Sequence, residues 1–123
     1  MEAASRGAKE AGGLVIGIIQ QDNKADAKAY CDVVIATGIG LARDFVTAYS
    51  ADAIVVVGGG AGTLIEICAA YQRKIPIVTV KGTGGMADRF LHESVDDRQI
   101  EEILVEDSPE KAVRKALSLI QTP

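Results

Sequence analysis

Apolar residues in this chain come in short blocks, each closed by glycine or a polar segment. Five blocks predict β-strands: Leu14 to Ile19, a run within Cys31 to Thr37 at 33–37, Ala53 to Val57, Ile77 to Val80, and Glu102 to Val105. The run Ala53-Ile-Val-Val-Val57 has no polar alternation, which predicts a central parallel strand covered on both faces. Between the strands, apolar positions recur at helical spacing. Met1 to Ala11 predicts a helix closed by Gly12 and Gly13. Gln20 to Ala29 is a polar loop. A helix after Gly40 reaches about Ser50 and should bury Leu41, Phe45, Val46 and Tyr49. A helix after Gly62 runs to about Lys74. It carries an apolar stripe at Leu64, Ile65, Cys68 and Ala69, and places Arg73 and Lys74 at its negative end. Pro76 precedes a strand at a position that tolerates a missing N–H. A short helix is predicted from Met86 to about Leu91, and a charged surface segment from Glu93 to Arg98. Ser108-Pro109-Glu110 is a helix start, followed by an expected buried face of Ala112, Val113, Ala116, Leu117 and Ile120.

Strands alternating with helices across short connections predict an α/β fold. The expected form is a Rossmann-like parallel sheet of about five strands with flanking helices, in a single domain over 1–123. Three successive strands, at 33–37, 53–57 and 77–80, each end in a glycine-containing loop. Ligands of open parallel sheets bind at the carboxyl ends of the strands, so these three loops are the candidate site.

Composition narrows the partners. Hydrophobic residues make up 48% of the chain but aromatic residues only 4%, so the core is aliphatic. The 13 glycines are clustered, which points to tight turns and close ligand approach. The net charge is -4 with no block of Lys or Arg, which argues against a nucleic acid partner. No apolar run reaches membrane-spanning length and no signal sequence is visible, so no membrane partner is expected. Cys31 and Cys68 read as free buried thiols of a cytoplasmic protein. His92 stands alone and reads as an exposed side chain near Asp88. With no Cys/His/Asp cluster, no metal or cofactor is expected to be needed for folding.

The loops carry the candidate chemistry. Gly38-Ile-Gly40 begins a dinucleotide fingerprint, but Arg43 stands where the third glycine belongs. Arg43 falls in the first turn of its helix and suits a phosphate or carboxylate. The competing reading is a solvated arginine paired with Asp44 or Asp52. The loop Gly58-Gly59-Gly60-Ala61-Gly62 leads into Thr63 and the start of a helix, where unpaired N–H groups favour an anion. It lacks the Lys-Ser/Thr ending of a triphosphatase loop. Glu66, one turn into the helix, suits a sugar hydroxyl or the positive charge of a breaking glycosidic bond. Gly82, Thr83 and Gly84 belong to a third loop, Lys81 to Gly85, that reads equally as a ligand cover or a surface connection.

Gly38-x-Gly-x-Ala-Arg43, Asp52, and Gly58-Gly-Gly-Ala-Gly-Thr63-x-x-Glu66 together resemble a known superfamily. It joins molybdenum cofactor carrier proteins with the Lonely Guy phosphoribohydrolases, which are often labelled lysine decarboxylases. The resemblance implies a Rossmann-like fold and a homodimer or larger homo-oligomer. It also implies, for the hydrolase branch, a functional pair that maps onto Arg43 and Glu66. Asp44 stands where that branch usually has Lys, and Val57 where it usually has Pro; both departures, with the loop from Lys81 to Gly85, lean toward the carrier branch.

The expected function is therefore binding of a phosphorylated small molecule, a nucleotide or molybdopterin-type cofactor, at the Gly-rich strand-to-helix loop. The alternatives are a nucleoside monophosphate phosphoribohydrolase using Arg43 and Glu66, and an inactive fragment. The fragment reading follows from the N-terminus: the family's first strand, helix, second strand and glycine loop would precede Met1. On that reading strand 14–19 should lack a neighbour. A truncated chain, a partner filling the gap, or a shifted direct pairing are the three outcomes it leaves.

Overall fold

A computed structural model describes residues 1–120 and has four α-helices and five strands, all paired in parallel. Two compact units divide the chain, Met1–Val46 and the part from Thr47 onward.

The first unit holds helix α1 (Glu2–Glu10) and the parallel pair β1 (Ile16–Ile19) and β2 (Val33–Ala36), aligned Ile16 with Val33 and Ile19 with Ala36. The strand expected to lack a neighbour thus pairs directly. Its entry is pinned by Asp32. Asp32 Oδ2 accepts from the Val15 N–H at 2.8 Å, while Oδ1 pairs with Lys9 of α1. The Val15 carbonyl in turn accepts from the Asp32 and Val33 N–H groups. Gly12, at φ +79, ends the run after α1 as expected.

The second unit holds β3 (Ile54–Val56), α3 (Ala61–Gln72), β4 (Ile77–Val80), β5 (Ile103–Glu106) and α4 (Pro109–Leu119), in sheet order β3-β4-β5. The middle strand of this sheet is β4, and all four of its residues are buried. Ile77 faces a cluster with Val56, Ile67, Ala70, Tyr71, Ala87 and Ile103. Val78 and Val80 face Ala112 and Ala116 of α4. Each fully buried aliphatic side chain contributes about 1.5–3 kcal/mol. The prediction that the run 53–57 is the central, doubly covered strand is corrected. Within its sheet β3 is an edge, and Val57 is 59% exposed.

Two predicted helix faces are also corrected. Helix α2 (Arg43–Tyr49), preceded by a 3-10 turn at Gly40–Ala42, spans the boundary between the units. Leu41 (65% exposed), Phe45, Val46 and Tyr49 lie outward, while Asp44 and Ala48 are buried. In α4, Ala112 and Ala116 are buried but Val113 and Leu117 (63% exposed) are not. The stripe pressed against β4 is the small-residue stripe, because alanine permits the closest approach of helix to sheet. In α3 the buried residues are Ile67, Ala69, Ala70 and Tyr71, so of the predicted stripe only Ala69 is fully covered. The last predicted short helix is a 3-10 turn over Gly85–Asp88. The α4 start is as expected: Ser108 accepts from the Lys111 N–H at 3.3 Å, with Pro109 in the first turn.

Candidate functional site

The chain leaves β3 at Val57 and turns through Gly58 (φ +55) and Gly59 (φ +96), both in the left-handed region that favours glycine. At Gly59 the Thr63 side chain folds back against the backbone, and any Cβ there would sit 2.6 Å from the Thr63 Cβ. Gly60 is the N-cap of α3, and no side chain caps this end. The first bond of the helix runs from the Leu64 N–H to the Gly60 carbonyl at 3.1 Å. Helix geometry therefore leaves the N–H groups of Ala61, Gly62 and Thr63 outside the ladder, at the positive end of the helix dipole. Glu66 follows one turn later and is half-buried.

The third loop is built onto this turn. The Gly58 N–H donates to Thr83 Oγ1 at 3.0 Å, and the Thr83 hydroxyl donates to the Val80 carbonyl at 2.7 Å. The Gly58 and Gly59 carbonyls accept from the Ala87 and Met86 N–H groups at 2.9 and 3.0 Å. Gly85 (φ +53) packs so closely that a Cβ would run into the Gly59 carbonyl oxygen. Asp88 then accepts from two loop amides, Gly82 at 2.8 Å and Gly84 at 2.7 Å. Lys81 to Gly85 is thus tied to the turn, and its Gly82 and Gly84 amides are already engaged. Sequence reasoning placed Asp88 on the short helix without a role. The available signal was an acid six residues beyond Gly82 and four beyond Gly84.

In the first unit, Gly38 (φ +64) and Gly40 (φ +60) donate their N–H groups to the Gln21 and Gln20 carbonyls. Arg43 Nη1 donates to the Ile18 carbonyl of β1 at 3.2 Å, and its Nε lies 3.2 Å from Asp44 Oδ1. The guanidinium is therefore held on β1 by the Ile18 carbonyl and lies beside the Asp44 carboxylate, half-buried rather than solvated. Asp44 is 2% exposed, and its Oδ2 has no hydrogen-bond partner among the described residues. Arg43 belongs to the first unit and Glu66 to the second.

Other chemistry is sparse. Cys31 and Cys68 are free and only half-buried, and burial pushes the Cys68 thiol up, with Asp96 adding to the shift. His92 is exposed, 3.4 Å from Glu102. Among the described residues no group of three or more His, Cys, Asp or Glu side chains could hold a metal ion, and no helix is long and apolar enough to cross a membrane. A depression of about 650 Å³ beside His92 is lined by Glu93, Asp96, Asp97, Glu101 and Glu102, a charge pattern that repels phosphate.

Comparison with known proteins agrees with this architecture. An uncharacterized protein of Archaeoglobus fulgidus is 40% identical over 81 residues, 66% of this chain and 53% of its own length. The chain thus spans about half of that relative. The X-ray structure of the structural genomics target TM1055 superposes with a TM-score of 0.87 at 35% identity, covering 96% of this chain and 72% of that one. The molybdenum cofactor binding protein from the phototrophic bacterium Rippkaea orientalis superposes with a TM-score of 0.82 at 29% identity, covering 98% and 71%. These neighbours support the carrier-containing superfamily suggested by the glycine motifs. The profile of the SLOG cluster4 family matches residues 1–113, and the chain belongs to that family.

Proposed function

We propose that this chain binds and carries a phosphorylated small molecule, a nucleotide or a molybdopterin-type cofactor, with its phosphate at the first turn of α3. The observation that carries the reading is the uncapped N-terminus of α3 behind a triple-glycine turn. An anion there meets several N–H groups and the helix dipole at once. In this reading Gly58, Gly59, Gly60 and Gly62 let the ligand approach the backbone, and the Thr63 hydroxyl adds a side-chain donor. Glu66 meets a sugar hydroxyl or ring N–H. Gly82, Thr83 and Gly84 support the turn from behind. A bound molybdenum cofactor would be cargo, held through its phosphate. The carrier acts in the cytoplasm as a homodimer or larger homo-oligomer. Support comes from the family and from a structural neighbour named for binding molybdenum cofactor.

Thermal melts with nucleoside monophosphates and molybdopterin test the reading. A ligand at 100 times its Kd stabilises the folded state by about 2.7 kcal/mol and raises the melting temperature accordingly. No shift with any phosphorylated ligand rejects it. Release of free base from a nucleoside monophosphate, abolished by Glu66→Ala, assigns the phosphoribohydrolase reading instead.

A further inference from the structure

The geometry points to Asp88 as the positioning residue of the glycine turn, an internal carboxylate that holds the turn in the shape needed to receive an anion. The inference rests on the phosphate reading above. Its chain of contacts is short. Asp88 takes the Gly82 and Gly84 N–H groups on separate oxygens, 2.8 and 2.7 Å away. Both glycines have positive φ, +84 and +80, so the loop is curled with its amides converging on one acceptor. Thr83 lies between them. With its neighbours fixed, its hydroxyl is aimed at the Gly58 N–H, 3.0 Å away. The turn carbonyls of Gly58 and Gly59 receive the Ala87 and Met86 N–H groups, from the same 3-10 turn that carries Asp88. One side chain therefore closes a ring: Asp88 to the glycine loop, the loop through Thr83 to Gly58, and Gly58 back through Ala87.

Two consequences follow. The Gly82 and Gly84 amides already have an anion, so an incoming phosphate is directed to α3 alone. The Gly58 amide is also committed to Thr83, which orients the peptides ahead of Ala61, Gly62 and Thr63 before any ligand arrives. Such preorganisation lowers the ordering cost of binding.

The test compares Asp88→Ala, which removes the acceptor, with Asp88→Asn, which keeps one carbonyl oxygen, in the full chain. Amide hydrogen exchange at Gly58, Gly82 and Gly84 is followed without ligand, and 5′-AMP affinity is measured by calorimetry. Asp88→Ala should speed exchange at all three amides and weaken 5′-AMP about tenfold, the scale of a charge-assisted hydrogen bond. Asp88→Asn should fall between. If Asp88→Ala does not fold, the Asn variant carries both measurements. Unchanged Gly58 exchange overturns the proposal. Faster exchange with unchanged affinity also overturns it, because the carboxylate then serves stability alone. A parent chain that binds neither 5′-AMP nor molybdopterin rejects the phosphate reading, and exchange at Gly58 in the two variants then decides separately whether Asp88 braces the turn.

Discussion

The Tyr71 hydroxyl donates to Asp96 Oδ1 at 2.7 Å and accepts from the Ile100 N–H at 3.0 Å. Tyr71 is fully buried in α3, so one phenol stitches the segment between β4 and β5 onto the core beneath it. Arg98 completes the arrangement. Its Nε lies 2.9 Å from Asp96 Oδ2, and its guanidinium lies 5.9 Å from the Tyr71 ring centroid. Tyr71→Phe keeps the ring packing but leaves the Ile100 N–H without its acceptor. The expected loss is about 1–3 kcal/mol in urea unfolding, with the slope unchanged.

Acid should weaken this fold through the same carboxylate. The Arg98 and Tyr71 hydrogen bonds hold Asp96 at about 2, below its ordinary 3.8. A depressed folded-state value means the stabilisation is complete above about pH 4 and disappears as pH falls toward 2. Asp32, lowered by Lys9 and the Val15 N–H, and Asp107, lowered by Lys111, act in the same direction. Melting temperature against pH should fall below pH 4, more gently in Asp96→Asn. These groups are exposed, so added salt should reduce the difference. A parallel decline in Asp96→Asn would assign the acid sensitivity elsewhere.

Glycines of the turn should separate fold from binding. A methyl at Gly85 meets the Gly59 carbonyl and a positive φ. Gly85→Ala should therefore cost about 1–3 kcal/mol or more. Gly60 has φ -117 and open space where its Cβ would be. Gly60→Ala should melt within about 1 kcal/mol of the parent, since it changes only an N-cap preference, yet it places a methyl at the turn proposed above to receive phosphate. Thermal melts with and without 5′-AMP check both. Equal ligand shifts in the parent and Gly60→Ala would move the phosphate away from α3.

The two faces of α4 should respond oppositely. Ala116→Leu forces three carbons between helix and sheet and should cost about 1–3 kcal/mol. Leu117→Gln, on the exposed side, should stay within about 0.5 kcal/mol. A loss above that, together with a change in sedimentation, would show that Leu117 is covered by a second copy in solution.

Much of this fold is legible in the amino-acid sequence. Hydrophobic runs closed by glycine loops or polar segments located the five strands to within one or two residues, because strand residues and turn residues have distinct steric demands. The Ser108-Pro109 start was readable for the same local reason. What periodicity does not contain is which of two neighbouring stripes faces the sheet. Ala112 and Val113 are adjacent in sequence, and the closer-packing one was chosen by the tertiary contact. Val55 and Val57 misled differently: an unbroken apolar run reads as doubly covered, yet β3 is the edge of its sheet. At the site, the glycines announced the turn, but the tie between Gly58 and Thr83 joins residues 25 apart. A contact of that range leaves no local pattern.

Ala112 and Ala116 touch Val78 and Val80, and Val80 is also the residue whose carbonyl receives the Thr83 hydroxyl. The thickness of a methyl group thus gauges how deep β4 lies, and with it the height at which the glycine loop is launched. Any bulk added under α4 would be felt at the far end of the strand, so this helix sets a mechanical tolerance on a loop it need never touch.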